Sequence, residues 1–170
     1  MARFRSTTDP RAMDELVARF VGRAVTVARR LLSDPALAED AAQETFLRLV
    51  RGAASYDPRH PFTHWFYAIL RNTCRDLQRG RERQARALRE GIRRPGCSAP
   101  ADRGEVAELL RRLPDEERLV LQLRLQGDLS FEEIGILLGI HREAAKKRAQ
   151  RGLRRLREHL GVPAAASPTY

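Results

Sequence analysis

Residues 130–151 read Ser130-Phe-Glu-Glu-Ile-Gly135-Ile-Leu-Leu-Gly139-Ile-His-Arg142-Glu-Ala-Ala-Lys146-Lys147-Arg148-Ala-Gln-Arg151. The opening Ser-x-x-Glu is a capping box, in which the serine hydroxyl and the glutamate three residues on satisfy each other's backbone N–H groups at a helix start. A helix-turn-helix needs a small residue where its two helices cross and a glycine where the chain turns between them. Gly135 and Gly139 fill those places, with Ile134, Leu138 and Ile140 spaced to pack the crossing. The second helix then offers Arg142, Glu143, Lys146, Lys147, Arg148 and Arg151 at outward steps. A basic helix of this size fits the major groove, where Arg and Lys reach guanine edges or phosphates. A plain helical hairpin with a solvated basic face is the bland alternative. The capping box, both glycines and the one-sided charge together favour the DNA-binding reading.

Outward from this stretch the apolar period is helical almost everywhere, which predicts an all-α protein. A long basic helix runs from about Arg142 to Leu160, closed by Gly161 and Pro163. Upstream, a periodic block begins near Glu105, breaks at Leu113-Pro114 and resumes from Asp115 to Gln126, with Leu119, Val120 and Leu123 on one face. In the N-terminal half, Asp9 and Pro10 read as cap and first residue of a helix with Met13, Leu16, Val17, Phe20, Ala24, Val27, Ala28 and Leu31 in a stripe. Asp34 caps a second helix that runs to about Ala53 and buries Ala42, Phe46, Leu49 and Val50. After a loop stiffened by Pro58 and Pro61, a third helix from Phe62 buries Trp65, Phe66, Ile69, Leu70, Thr73 and Leu77. The expected organisation is two small helical domains, 1–79 and 105–161, joined by a flexible Arg-rich linker, 80–104, and followed by a tail, 162–170. The first part of that linker is open to continuing the third helix.

Charge agrees with a nucleic-acid partner. The 170-residue chain carries 32 Lys and Arg against 22 Asp and Glu, a formal +10, which favours anionic partners. The longest apolar run, Ile134–Ile140, is far below the ~20 residues that span a bilayer, so no membrane insertion is expected. Met1-Ala-Arg-Phe-Arg lacks the apolar core of a signal peptide. The only cysteines, Cys74 and Cys97, form no CxxC pair, so neither a disulfide framework nor a cysteine zinc site is expected. These features together predict a soluble, cytoplasmic, reduced protein.

Two further surfaces stand out. On the third helix Arg71, Asn72, Arg75, Asp76 and Arg79 share a polar face suited to phosphate and base-edge contacts. The nearby aromatics Tyr56, Trp65, Phe66 and Tyr67 could stack on unpaired bases, although Phe66 reads better as core. On the second helix Asp40, Gln43, Glu44 and Leu47 form an acidic-polar strip with an apolar tip, read as a protein-docking strip in preference to a metal site. His60 and His64 have metal spacing but straddle a loop and a helix start. With no GxxxxGK[ST], GxSxG or HExxH motif, catalysis has no foothold, and neither a cofactor nor a metal is expected.

These residues resemble a known family, the bacterial sigma factors of the extracytoplasmic-function (ECF) group. Ala38-Glu-Asp-Ala-Ala-Gln-Glu-Thr-Phe-Leu-Arg48 is similar to the family's region 2 motif, AED-x-x-QE-x-F-x-R. Tyr56-Asp-Pro-Arg59, Phe62, Trp65 and Arg71-Asn-x-x-x-Asp76 follow in the family's order. Leu113-Pro through Glu116-x-Arg118, Leu129-Ser-Phe-Glu-Glu-Ile-Gly135 and Leu138-Gly-Ile140 resemble region 4. The likeness covers about Leu16–Arg79 and Glu105–Arg157.

The resemblance implies a non-enzymatic factor that directs core RNA polymerase to a promoter subset and nucleates DNA melting. Asp40, Gln43, Glu44 and Leu47 would dock on the clamp helices of the polymerase β′ subunit. Tyr56, Arg59, His60, Trp65, Asn72, Arg75, Asp76 and Arg79 would recognise the −10 element of promoter DNA. Arg142, Glu143, Lys146, Lys147, Arg148 and Arg151 would read the −35 element, with the other side of that domain on the β flap. An anti-sigma factor is a further implied partner. The rival reading is a stand-alone helix-turn-helix repressor or activator, which gives the Asp40–Leu47 strip no task. Where members usually show a Thr-Val-Lys-Ser-Arg-like run, this chain has Ala144-Ala-Lys-Lys-Arg148, and the small Ala145 and Ala149 predict a recognition helix that packs loosely or leans differently.

Overall fold

A computed structural model of the protein describes residues 10–88 and 105–161. The expected cap at Asp9, the linker residues 89–104 and the tail 162–170 lie outside these. The described residues form seven α-helices, α1 (Pro10–Leu31), α2 (Pro35–Arg51), α3 (Phe62–Leu88), α4 (Glu105–Arg111), α5 (Asp115–Leu125), α6 (Phe131–Leu138) and α7 (Arg142–His159), with a 3-10 turn at Ala53–Ser55 and no strand among them. The chain divides into two compact units. Helices α1–α3 build the first, and α4, α5 and α7 with the start of α6 build the second.

In the first unit α1 turns Leu16, Phe20, Ala24, Val27 and Ala28 inward, as the stripe predicts, and leaves Met13, Val17 and Leu31 half-buried. Helix α2 buries Ala38, Ala41, Ala42, Thr45, Phe46 and Leu49. Val50, expected in this core, is exposed. It follows Leu49 by one residue, about 100° round the helix, and so leaves the inward face. Phe66 is the centre of the core: its ring lies 5.0 Å from Phe20, 6.0 Å from Phe46, 6.0 Å from Phe62 and 5.1 Å from Tyr67, with no solvent exposure. Trp65 and Ile69, also expected inside, sit at the edge of α3's inward face and are only half-buried, as is Leu77. Tyr67 and Cys74 take places inside that the sequence reading had not given them.

Helix α3 runs past Arg79, the expected end of the domain, as far as Leu88. The extension is anchored, because Arg81 ion-pairs with Asp34 at the start of α2. Asp34 also caps α2, accepting from Ala36 N at 2.9 Å and Leu37 N at 3.4 Å. These contacts, the Leu37 N–H first and the Arg81 guanidinium next, hold the carboxyl below its ordinary 3.8. A depressed folded pKa contributes stability that is in place above the unfolded value and is lost as pH falls through the folded one. Asn keeps the cap acceptor but not the charge, so Asp34→Asn should melt below wild type at pH 6. Thermal melts should show that gap closing below about pH 4, and a gap of constant size would refute the assignment.

In the second unit Leu110, Leu113, Val120, Leu121, Leu123, Leu129 and Ile134 are buried, as are Ala145 and Ala149. Leu121 takes the inward place expected of Leu119, which is half-exposed. The capping box forms as read: Glu133 N donates to Ser130 Oγ at 3.2 Å, and Ser130 N donates to Glu133 Oε2 at 2.8 Å. A Cβ on Gly135 would stand 2.8 Å from the Ile140 carbonyl oxygen, so the chain can return only over a glycine there. Gly139 turns with φ +69°, a region open to glycine without steric cost.

The small residues of α7 lie on its inward face. Ala145, Ala149 and Gly152 are all buried, and a Cβ on Gly152 would come within 2.8 Å of Leu121 Cδ1. The absence of a Cβ at Gly152 lets α7 close onto Leu121 of α5.

Candidate polymerase-docking and DNA-binding surfaces

The strip on α2 emerges on the outer face. Asp40 and Gln43 are exposed, and Leu47 keeps half of its surface in solvent (50%). Val50, freed from the core, adds an apolar step at i+3 from Leu47. Glu44 is engaged: Arg48 Nε donates to its Oε1 at 2.9 Å, and Arg51 Nη1 stands at 4.0 Å. The strip therefore offers two free polar groups, one neutralised carboxylate and an apolar end. That composition suits a protein partner better than a metal, and no group of His, Cys, Asp and Glu among the described residues could hold one.

On α3 the residues Asn72, Arg75, Asp76 and Arg79 are all exposed, so the expected polar face exists. Asp76 accepts from Arg48 Nη1 at 2.7 Å. One guanidinium thus bridges the acidic-polar strip of α2 and the polar face of α3. Both carboxylates, Asp76 first and then Glu44, raise the Arg48 pKa above its ordinary value. Sequence reading named Glu44 and Asp76 for separate tasks and gave Arg48 none. Its i+4 spacing from Glu44 was the available signal, but the reach to Asp76 needed the packing of α2 on α3.

The aromatic residues correct the sequence reading. Tyr56 is buried, donates its hydroxyl to the His60 carbonyl oxygen at 2.7 Å and lies 5.1 Å from the Trp65 ring. Tyr67 is wholly buried. Neither ring is free to stack on a base, and only Trp65, half-buried, keeps an edge toward solvent. Tyr56 instead pins the loop that carries Arg59 and His60. Arg59 is exposed but tied to Asp57, with Nη2 to Oδ2 at 2.6 Å and Nε to Oδ1 at 3.0 Å; that carboxylate raises its pKa. Cys74, buried beneath this face, has its thiol pushed up to about 12 by desolvation, which makes it inert at neutral pH.

On α7 the six predicted residues divide. Arg142, Glu143 and Lys147 are exposed, and Lys146 is half-exposed. Arg148 and Arg151 point along the flank toward α5. Arg148 Nη2 meets Glu116 at 3.0 Å, and Arg151 Nε stands 3.6 Å from the buried Glu117, beside Arg155 at 3.3 Å. The expectation that all six face outward is corrected for Arg148, which its carboxylate partner holds half-buried, whereas Arg151 stays exposed while it pairs with the neighbouring helix. Gln150 and Arg154, exposed and unremarked in the sequence, continue the outward face at seven and eleven residues from Glu143. Simple helical spacing was the signal that could have found them.

Comparison with known proteins separates the same two helical units. The Sigma-70 region 2 family matches residues 16–84, and the Sigma-70, region 4 family matches residues 109–158. The chain is 39% identical over 168 residues to the RNA polymerase sigma factor CarQ of Myxococcus xanthus, covering 95% of each. It is 34% identical to the ECF RNA polymerase sigma factor SigE of Mycolicibacterium smegmatis, over 92% of this chain and 66% of that one. Among solved structures, CnrH, determined in complex with the cytosolic domain of CnrY, is similar with a TM-score of 0.63 at 26% identity, covering 96% of both chains. With two exposed polar faces on the first helical unit and both family regions matched in order, the chain belongs to the sigma-70 family of RNA polymerase sigma factors, in its extracytoplasmic-function group.

Proposed function

We propose that the chain binds core RNA polymerase through Asp40, Gln43, Glu44 and Leu47, with Val50 extending the contact, and directs it to promoters bearing two elements. Asn72, Arg75, Arg79 and His60 contact the −10 element, with Trp65 the only candidate for stacking on an opened base. Asp76 contributes as a carboxylate whose charge Arg48 already offsets. Arg142, Glu143, Lys146 and Lys147 read the −35 element, joined by Gln150 and Arg154, while Arg148 and Arg151 hold the helix in place. The chain performs no catalysis of its own and works in the cytoplasm. No helix among the described residues is long and apolar enough to cross a membrane. Family membership brings an anti-sigma factor as a further expected partner.

The observation that carries this reading is the ordered presence of region 2 at 16–84 and region 4 at 109–158 in one chain. A stand-alone repressor needs only the second. Run-off transcription with purified chain and core polymerase tests it. Initiation should start at a fixed site only when the chain is added. A symmetric dimer on a palindrome, with no effect on core, would support the repressor instead.

Within this reading, Arg142 stands at the first turn of α7, where a bidentate contact to guanine is worth about 1–3 kcal/mol. Arg142→Ala should relax discrimination at one −35 position. Lys147→Ala should weaken all duplexes alike and reduce the salt slope. Binding-site selection separates the two, and an unchanged sequence preference in Arg142→Ala rejects it as a base reader.

A further inference from the structure

Lysine occurs only twice among the chain's 32 basic residues, as the adjacent pair Lys146 and Lys147, and every other one is arginine. The difference is chemical. A guanidinium stays charged in proteins, whereas a lysine ammonium exchanges with a neutral, nucleophilic amine and is the group that acetylation targets. The cationic side chains that acylation can neutralise are therefore confined to neighbouring positions on α7. The first helical unit has none.

The fold leaves both amines open. Lys147 is exposed and Lys146 half-exposed, and neither ammonium is held by an ion pair or hydrogen bond to another described residue. The next residue, Arg148, is by contrast tied to Glu116 at 3.0 Å. Arg142 stands one turn before Lys146, and Glu143 one turn before Lys147, both exposed; residues four apart are neighbours on a helix surface. The like charges of Arg142 and Lys146 draw an anionic reagent to this face. The Glu143 carboxylate is placed to take a proton from Lys147.

Building on the −35 reading proposed above, we infer that Lys146 and Lys147 are an acylation site, modified by direct transfer from an acyl phosphate or acyl thioester, and that acylation releases the −35 duplex. The neutral amine attacks the acyl carbonyl carbon. An amide C–N bond forms, and the bond to phosphate or thiolate breaks with its electron pair leaving on that group. The proton of the new N–H bond passes to Glu143 or to water. Nothing is oxidised or reduced, and each transfer removes one positive charge. The docking strip and the −10 face carry no lysine, so the acylated chain still occupies core polymerase while its hold on the −35 element weakens.

The full-length chain is treated with acetyl phosphate or, in a parallel arm, with acetyl-coenzyme A, freed of reagent and assembled with untreated core polymerase. Peptide mass spectrometry should find acetyl groups on Lys146 and Lys147 in at least one arm, and that arm identifies the donor. Promoter titrations at several KCl concentrations should then show a salt slope smaller by about 1.8, the share of two phosphate contacts. Between 50 and 200 mM salt that is roughly a twelvefold smaller loss of affinity than the untreated chain suffers. Core affinity should stay that of the untreated chain. Lys146→Arg with Lys147→Arg retains the α-amino group and no side-chain amine. Measured against its own untreated state, it should show no response to either donor. A wild-type chain that carries both acetyl groups and keeps its slope overturns the switch. So does an equal response in the arginine variant, which would place the effect at the α-amino group. Failure of both donors to modify either lysine overturns the site. Untreated chain that binds equally well after the −35 element is scrambled would overturn the −35 reading itself.

Discussion

Replacing Phe66 with alanine is expected to unfold the first helical unit at physiological temperature. The ring is fully buried and sits at 5.0–6.0 Å from Phe20, Phe46, Phe62 and Tyr67, so truncation opens a cavity bounded by four other rings. Phe-to-Ala changes in cores cost about 3–5 kcal/mol, a large part of the ~5–15 kcal/mol that holds a domain together. Urea titration followed by circular dichroism should show a first transition moved to much lower denaturant. Core binding and −10 contacts should fail with it, since Asp40 and Arg75 stand on helices that Phe66 packs together. Ile69→Ala, at the half-buried edge of the same helix, should cost far less. Equal losses for the two variants would mean that α3 is rotated from the orientation described.

The double change Asp40→Ala with Gln43→Ala should have the opposite profile. Both residues are exposed on α2 and neither supports the core, so Tm should stay within the small range typical of surface changes. If these two groups lie at the centre of the interface with polymerase, each is worth about 2 kcal/mol, and core affinity should fall by roughly a thousandfold. Glu44→Ala should read differently. It removes a carboxylate of the proposed docking strip but also frees Arg48, which then pairs with Asp76 alone. Competition binding to core, with the melts run in parallel, separates the cases. Wild-type core affinity in the double variant would remove Asp40 and Gln43 from the docking surface.

Much of this architecture was legible from residue pattern because helices and their ends are written locally. The capping box at Ser130, the cap at Asp34 and the turn at Gly139 each depend on groups within a few residues, and each forms as the spacing implies. The division into two helical halves follows from the same local periodicity, interrupted between them. The composition of the α2 strip was also readable, since a polar face opposite Phe46 has only solvent or a partner to meet.

Elsewhere the pattern left choices open. Periodicity locates an apolar face to within about one residue, or 100° of rotation, and that margin decides whether Val50 or Leu49 is core. The stripe predicts both as buried; the packing of α2 on its neighbours leaves Val50 in solvent. Aromatic residues beside a loop suit a core or a base-stacking surface equally well by composition. Only the hydroxyl of Tyr56 meeting the His60 carbonyl, and the burial of Tyr67, removes those rings from the DNA face.

The sequence by itself determined the helices, their caps, the helix-turn-helix turn, the excess of positive charge and the family to which the chain belongs, because each of these is encoded in neighbouring residues or in ordered motifs. The tertiary structure alone decided which charges are free. Arg48 joins Glu44 on its own helix to Asp76 on α3; Arg148 and Arg151 turn to carboxylates on α5, and Arg81 anchors to Asp34 while Arg83 and Arg86 stay exposed. The physical reason is the range of an ion pair. It acts over a few ångströms between side chains whose separation in the chain reaches 47 residues, and no local pattern specifies that meeting before the helices have packed.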